Sequence, residues 1–511
     1  MTLLDTPVSE TIEAYDQLID DLARSVPGDA TIEFAITPLD VTGIPVWSVT
    51  RWQPDGEMLN GIGYGFTDSR ARVGSWAELL EQAGSHHAMA RIERTWASYN
   101  ELLKRGVAAL NPLVLRLPAG SAYSHDQKLN WVPARRLDIT RDDLAGEMIL
   151  VPIEGAATHN FDCHLPADAA PLFQAISNGN GAGDTIERAL THGMLELVQR
   201  DGNSAGYRAC DRGVRIDLGP DNQDVRHPQT RALLERLDAA GIDVIVKLAD
   251  TNLGMTNLYV VGRERDLSLV PHPICLTGCG EAAHPDREQA LLKALTEYCA
   301  SRVRKLYMHG PIEAQRYLFP PGYLERFTAS PASIEESRSF QAVAQWMQLS
   351  ADEIVQRIGP TIFRVDRTVR FADLPTVDMD SLNEVGPLLR DVAARFTAEA
   401  LDVFWVDYTP GDAPCRAAKV ICAPLEVETM TYRRVGPRNL RRLIDRGFDF
   451  VGVGVAPNDT LRVPMLPEDE AALGGPAWLH PARADALLGP LYAMYREPDV
   501  HSIALSRPAE N

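Results

Sequence analysis

Ser177-Asn-Gly-Asn-Gly-Ala-Gly183, running into Asp184-Thr-Ile-Glu-Arg-Ala-Leu-Thr-His-Gly-Met-Leu-Glu-Leu-Val-Gln-Arg-Asp201, is the stretch on which the fold turns. Its glycines leave the backbone free to turn, and an amphipathic helix follows. Ile186, Ala189, Leu190, Gly193, Leu197 and Val198 recur at helical spacing and predict one buried stripe. Asp184, with Glu187 as reciprocal partner, reads as the N-terminal cap. Arg188, His192, Glu196, Gln199 and Arg200 share the opposite face.

The pattern occurs three times. Gly61-Ile-Gly-Tyr-Gly65 precedes a predicted helix from Asp68 to Gln82, and Thr277-Gly-Cys-Gly280 precedes one from Pro285 to Arg302. Each helix sets an alanine two turns ahead of a glutamate: Ala71 and Glu78, Ala189 and Glu196, Ala290 and Glu297. On the first helix Val73, Trp76, Ala77 and Leu80 form the buried side, leaving Gly74, Glu78, Glu81, Gln82 and Ser85 together. On the third, Gln289, Lys293, Glu297 and Ala300 line up. Helix N-termini after flexible glycines suit anions such as phosphates, and carboxylates from neighbouring helices suit Mg2+, a hard cation with oxygen ligands. Two readings stand at this level: Mg-nucleotide binding, and three solvated helix faces on an architectural repeat.

Outward from the repeats, β-branched and aromatic runs predict strands between Thr31 and Trp52 and at 243–249, 257–262, 402–408 and 417–423. Helical periodicity alternates with them, giving an α+β (mixed α/β) chain of glycine-turn–helix units around β-sheets. Residues 1–30 read as an N-terminal helical extension, 31–440 as one large domain with a helical insertion at about 331–360, and 441–511 as a C-terminal extension. The 511 residues carry 50 basic against 70 acidic groups, a net charge of -20, which disfavours nucleic acid and anionic membranes as partners. The seven cysteines are scattered and odd in number, which predicts reduced thiols. No signal-peptide pattern opens the sequence and no long apolar run interrupts it, so a cytoplasmic location is expected. Neither Cys275 with Cys279 nor His86 with His87 has further partners at metal-ligand spacing.

The ordered set of motifs resembles the YcaO family. The resemblance rests on Asp40-Val-Thr-Gly43-Ile-Pro45-Val46, Ser177 through Asp201, and Gly278-Cys-Gly280 through Ala294-Leu-Thr-Glu297. It continues in Val403-Phe-Trp-Val-Asp407-Tyr-Thr409, Ala423-Pro-Leu-Glu426 and Gly436-Pro-Arg438, covering roughly residues 30–440. It implies a mixed α/β fold, ATP and Mg2+ as cofactors, and activation of a backbone amide in a ribosomally synthesised precursor peptide. Azolines, macroamidines and thioamides are known outcomes, and attack by water would cleave the peptide bond. A second YcaO protein or another partner, in a homodimer or heterodimer, is also implied.

Carried over position by position, the family's first motif (Ser, Glu, Glu, Arg) falls on Gly74, Glu78, Glu81 and Gln82. The second (Ser, Glu, Gln, Glu, Glu, Arg) falls on Gly181, Arg188, His192, Glu196, Gln199 and Arg200. The third (Gln, Arg) falls on Gln289 and Lys293. Glu78 and Glu196 are the expected metal ligands; the other ten are expected around the nucleotide. Two carboxylates of the second motif are lost, one to a cation, so a more positive pocket is expected. The chain ends Arg507-Pro-Ala-Glu-Asn511 rather than in a proline-rich tail, which disfavours ordinary cyclodehydration. The competing expectation is a degenerate partner subunit that binds peptide or a catalytic YcaO protein without turnover.

Overall fold

The computed structural model describes residues 12–28, 30–53, 58–166, 169–204, 209–329, 337–377, 382, 384–427 and 433–506. The chain divides into two compact units, the first comprising 1–80, 211–383 and 490–511, the second 81–210 and 384–489. The N-terminal helical extension expected over 1–30 holds α1, Ile12–Ser25. Its predicted first residues, the start of the expected insertion at 331–336 and the tail Arg507–Asn511 lie outside the described residues.

In the first unit, β1 (Ala30–Ala35), β2 (Val46–Trp52) and β3 (Met58–Tyr64) form an antiparallel sheet, as the β-branched run at 31–52 predicts. A second sheet has the order β11-β10-β9-β8-β12, built from β8 (Val214–Asp217), β9 (Ile242–Asp250), β10 (Thr256–Glu264), β11 (Gly280–His284) and β12 (Arg367–Arg370). Helix α2 (Asp68–Arg91) follows β3 and α4 (Arg287–His309) follows β11. Leu258, Val260, Ala290, Leu291, Ala294 and Leu295 close the core between α4 and its sheet. The helical insertion expected at about 331–360 holds, among its described residues, two helices, α5 (Ser337–Trp346) and α6 (Ala351–Ile358). The break has a local cause: Ser350 starts α6 with a reciprocal capping box to Glu353.

The second unit holds β4 (Thr95–Ser98), β5 (Lys128–Leu137), β6 (Ala145–Pro152), β7 (Asn180–Gly183), β13 (Phe404–Asp407) and β14 (Arg416–Ile421). They make one sheet of order β4-β5-β13-β14-β7, with β6 on β5. Helix α3 (Ile186–Ser204) packs on β7 and β14 and against α7 (Val385–Ala398). A small sheet of β15 (Val451–Val453), β16 (Leu461–Arg462) and β17 (Ala477–Leu479) and helix α8 (Pro437–Asp445) complete it.

The glycines of the repeat are chiefly strand residues. Gly61 and Gly63 lie in β3, Gly181 and Gly183 in β7, and Gly280 opens β11; Gly179, at φ +86°, is a turn glycine in the left-handed region. What demands glycine is the helix that follows each strand. A Cβ on Gly181 would fall within 2.9 Å of the Ala189 carbonyl carbon, and one on Gly61 within 2.8 Å of the Leu79 nitrogen. One on Gly280 would overlap the backbone of Ala294 and Tyr298. Strand and helix touch backbone to backbone, which only residues without side chains permit. Ala71, against Gly63, and Ala189, against Gly181, are the helix side of this contact; on the third helix that place is taken by Ala294 and not by the expected Ala290.

None of the seven cysteines is in a disulfide, and all but the half-buried Cys279 are buried. No helix among the described residues is long and apolar enough to cross a membrane.

Candidate nucleotide and metal site

The division of the chain falls between Leu80 and Glu81 of α2, so the expected residues sort into two sets. The first unit carries Gly74, Glu78, Gln289 and Lys293. Gly74 lies against β3, where a Cβ added to it would meet the Gly63 Cα at 3.3 Å. Glu78, half-buried, accepts a hydrogen bond from the Ile62 backbone N–H at 3.0 Å. On α4, Lys293 and Gln289 are half-buried, and the Gln289 Oε1 is buried without a hydrogen-bond partner. Tyr64 donates to Glu297 at 3.4 Å. Burial, reinforced by the carboxylates of Glu297 and Glu78, raises the Tyr64 phenol well above its ordinary pKa, so it stays a donor.

The second unit carries Glu81, Gln82, Gly181, Arg188, His192, Glu196, Gln199 and Arg200. Glu196 accepts from the Gly179 backbone N–H at 2.9 Å and lies 3.5 Å from Arg200 Nε. His192 Nε2 approaches Glu81 at 3.9 Å. These side chains are half-buried, as is Gln82, whereas Gln199 and Arg188 are buried. A solvated face on α3 is therefore excluded, because β7, β14 and α7 cover the helix on several sides. Arg188 turns back to its own helix start, donating through Nε to Asp184 at 2.7 Å, while its Nη1 is buried without a partner.

Two local expectations need correction. Asp184 is not the cap of α3: Thr185 Oγ1 accepts from the Arg188 N–H at 3.2 Å, and the Asp184 carboxylate is taken by the arginine. Ser85 does not join the polar face of α2. It is fully buried and donates to Asp162 at 3.3 Å while accepting from the Thr158 N–H.

Three features escape sequence reasoning. His86 pairs through Nδ1 with the buried Asp162 at 3.0 Å. Asp201, buried, accepts from Arg438 and Arg442 and from the Glu426 N–H. Glu426 in turn accepts from the N–H groups of Gly436 and Asn439, supplying from 10 residues upstream the cap that α8 lacks at its own start. The third is Lys419 on β14, which is 3% exposed. Burial pulls its ammonium down to about 7 against the opposing pull of Glu196 and Glu81. A lysine at a strand position gives no sequence signal of this kind, since alternation marks its face and not its neighbours.

The donor chemistry fits a cation that arrives with its own oxygen ligands. Among the described residues no three His, Cys, Asp or Glu side chains gather to hold a metal by themselves. Nucleotide-bound Mg2+ takes one or two protein carboxylates and keeps waters and phosphate oxygens; Glu81 and Glu196 of the second unit, and Glu78 of the first taken by itself, are half-buried carboxylates.

The family profile described as YcaO cyclodehydratase, ATP- and Mg2+-binding, matches residues 62–426. The chain belongs to the YcaO family. ATP and Mg2+ are thus the cofactors of its family, as the motifs imply. A relative in Methanothermobacter thermautotrophicus, an uncharacterised protein, is 26% identical over 434 residues, covering 84% of this chain and 97% of that one. A Mycobacterium tuberculosis protein is 26% identical over 272 residues, and the match spans 55% of its length and 52% of this chain. Among solved structures, YcaO from Methanopyrus kandleri bound with AMPPCP and Mg2+ is 20% identical with a TM-score of 0.55, covering 83% of this chain and 93% of that one. A heterocyclase in complex with substrate and cofactor is 17% identical with a TM-score of 0.58, covering 85% of this chain and 55% of that one. Both likenesses are of fold, and the mixed helix and sheet architecture agrees with them.

Proposed function

We propose that this YcaO protein uses ATP and Mg2+ to activate a backbone amide of a ribosomally synthesised precursor peptide. The observation that carries the reading to this chain is the ordered polar set of the second unit. Glu196 is fixed by a backbone N–H beside Arg200, and Glu81 lies by His192, on helices whose polar residues are packed rather than solvated. The likeness to a YcaO structure holding AMPPCP and Mg2+, and to a heterocyclase holding substrate and cofactor, lends support.

An amide is a poor electrophile with a poor leaving group. Bound ATP supplies a phosphoryl group that turns the oxygen of the attacked amide into a phosphate leaving group, and Mg2+ offsets charge on the phosphates. On this reading Glu78 and Glu196 hold the cation, assisted by Glu81. Arg200, Arg188 and Lys293 bring positive charge to the polyanion. Gln82, His192, Gln199 and Gln289 supply neutral or switchable polar contacts. Gly74 and Gly181 keep the helices close to their strands. The nucleophile decides the product: a Cys, Ser or Thr side chain would give an azoline, an amine an amidine and sulfide a thioamide, whereas with water the amine would leave in place of phosphate and a second water would hydrolyse the acyl phosphate to complete cleavage.

The second reading is a partner subunit that binds peptide or a catalytic YcaO protein, as homodimer or heterodimer, without turnover. Arg188 and Gln199 in place of two expected carboxylates favour it. Incubating the candidate precursor peptide, ATP and Mg2+ with the protein and any co-encoded partner, followed by mass spectrometry, separates the two. Loss of one water, exchange of oxygen for sulfur, or fragments supports the enzyme. No ATP-dependent change supports the partner.

A further inference from the structure

Lys419 poses an electrostatic problem that the protein alone does not solve. It sits mid-strand in β14, opposite Asn180 of β7, and is almost wholly buried. An ammonium has three donors to satisfy. Here one is used, donating to the Ile176 carbonyl oxygen at 2.6 Å, just ahead of the Ser177–Gly179 turn. Two carboxylates, Glu196 and Glu81, lie within electrostatic reach, but neither pairs with it. Each has other company: Glu196 has the Gly179 N–H and Arg200, and Glu81 has His192. Burying an ammonium that is only part-paired is costly, and a core position of this size is filled at less cost by an apolar residue. A lysine retained there against that cost is suited to an anion with several acceptor oxygens.

We propose that Lys419 binds the phosphate chain of the nucleotide, as a pre-placed cation beside Glu81 and Glu196. The inference rests on the reading that the chain binds ATP, and it adds a residue that none of the glycine-and-helix motifs contains. Lysine serves as a point charge, so it holds phosphate oxygens without demanding the planar geometry of arginine. Its place on β14, rather than on a helix, gives the site a cation that stays fixed when helix side chains move. The same Lys419 ties Ile176 in place, which couples the turn at Gly179, and with it the Glu196 carboxylate, to the bound anion.

The test uses the full-length protein with lysine labelled at Cε by carbon-13, because six lysines give six signals. The Lys419 signal is assigned by its loss in Lys419→Arg, or by elimination with the other five Lys→Arg variants. Calorimetry first establishes whether a non-hydrolysable ATP analogue with Mg2+ binds. The expected result is binding, with the Lys419 signal displaced by the analogue and unmoved by adenosine. Lys419→Met then weakens the ATP analogue by about tenfold or more, the worth of a charged hydrogen bond, and weakens AMP far less. Binding with an unmoved Lys419 signal, or equal losses for ATP analogue and AMP, overturns the role of Lys419 and leaves the ATP reading intact. No binding by the wild-type protein overturns the ATP reading itself.

Discussion

Replacing Gly181 with alanine tests why the glycine motif is there. If its glycines served to loosen a phosphate-binding turn, a methyl group at this strand position would be tolerated by the fold. The geometry says otherwise. The added Cβ would lie 2.9 Å from the Ala189 carbonyl carbon and 3.1 Å from the Gly193 nitrogen, and closer still to the Ala189 oxygen. All three are backbone atoms of α3, so no side chain can swing away. Strand and helix must part by about an ångström, and α3 is packed against α7 as well. Overpacking of this kind costs about 1–3 kcal/mol, and the backbone character of the clash puts the expectation at the upper end, ~3 kcal/mol, roughly a hundredfold in the unfolding equilibrium. Gly74→Ala is the control, because its nearest neighbour stands at 3.3 Å and alanine gains about 1 kcal/mol over glycine inside a helix. Denaturant titration followed by tryptophan fluorescence, with the slope checked for constancy, reads both. A Gly181→Ala midpoint equal to that of the parent would refute the close-packing account.

Glu78→Gln and Glu196→Gln are expected each to abolish ATP turnover with an unchanged melting temperature, since glutamine still accepts the Ile62 or Gly179 N–H. Turnover within about twofold of the parent in both variants would remove these residues from the metal site, as two passive surface glutamates would behave. Arg188→Ala is expected to weaken nucleotide affinity, and Arg188→Glu combined with Gln199→Glu to strengthen Mg2+ binding in the presence of nucleotide, both read by calorimetry. Unchanged affinities would mean that Arg188 serves only Asp184. His501 is buried against Tyr323, and burial lowers it to about 3. Below the unfolded value of ~6.5 the unfolded chain binds a proton that the folded one refuses, so stability falls as pH drops from ~6.5 towards 3, by up to ~1.4 kcal/mol per pH unit. His501→Leu should flatten the melting temperature between pH 7 and 5, and an unaltered slope would contradict this.

Much of the fold was open to reading because its signals are local. The alternation at 243–249 and 257–262 became β9 and β10, paired antiparallel. Helix α2, read as far as Gln82, continues to Arg91 for a reason no local pattern contains: Gly84 packs against the backbone of Tyr408, more than three hundred residues on. The buried state of Arg188 and Gln199 has the same origin, since α7, which covers α3, comes nearly two hundred residues later. Glycine before a helix reads as a turn until the helix lies back on its strand. The visible clue was the alanine recurring on each helix: Ala71 and Ala189 do face a strand glycine, whereas on the third helix the contact falls on Ala294, one turn beyond Ala290. The carboxylates Glu78 and Glu196 were legible from the repeat; Lys419, Asp162 and the Asp201–Arg438–Arg442 cluster were not, because their partners meet only in three dimensions.

The claim that ATP acts on the oxygen of a peptide amide has one direct test. A precursor peptide labelled with heavy oxygen at its backbone carbonyls is incubated with the protein, ATP and Mg2+, and the inorganic phosphate released is analysed by mass spectrometry. The account predicts one heavy oxygen per phosphate released in step with product when a Cys, Ser or Thr side chain, an amine or sulfide attacks. Phosphate that stays unlabelled while product forms would contradict it.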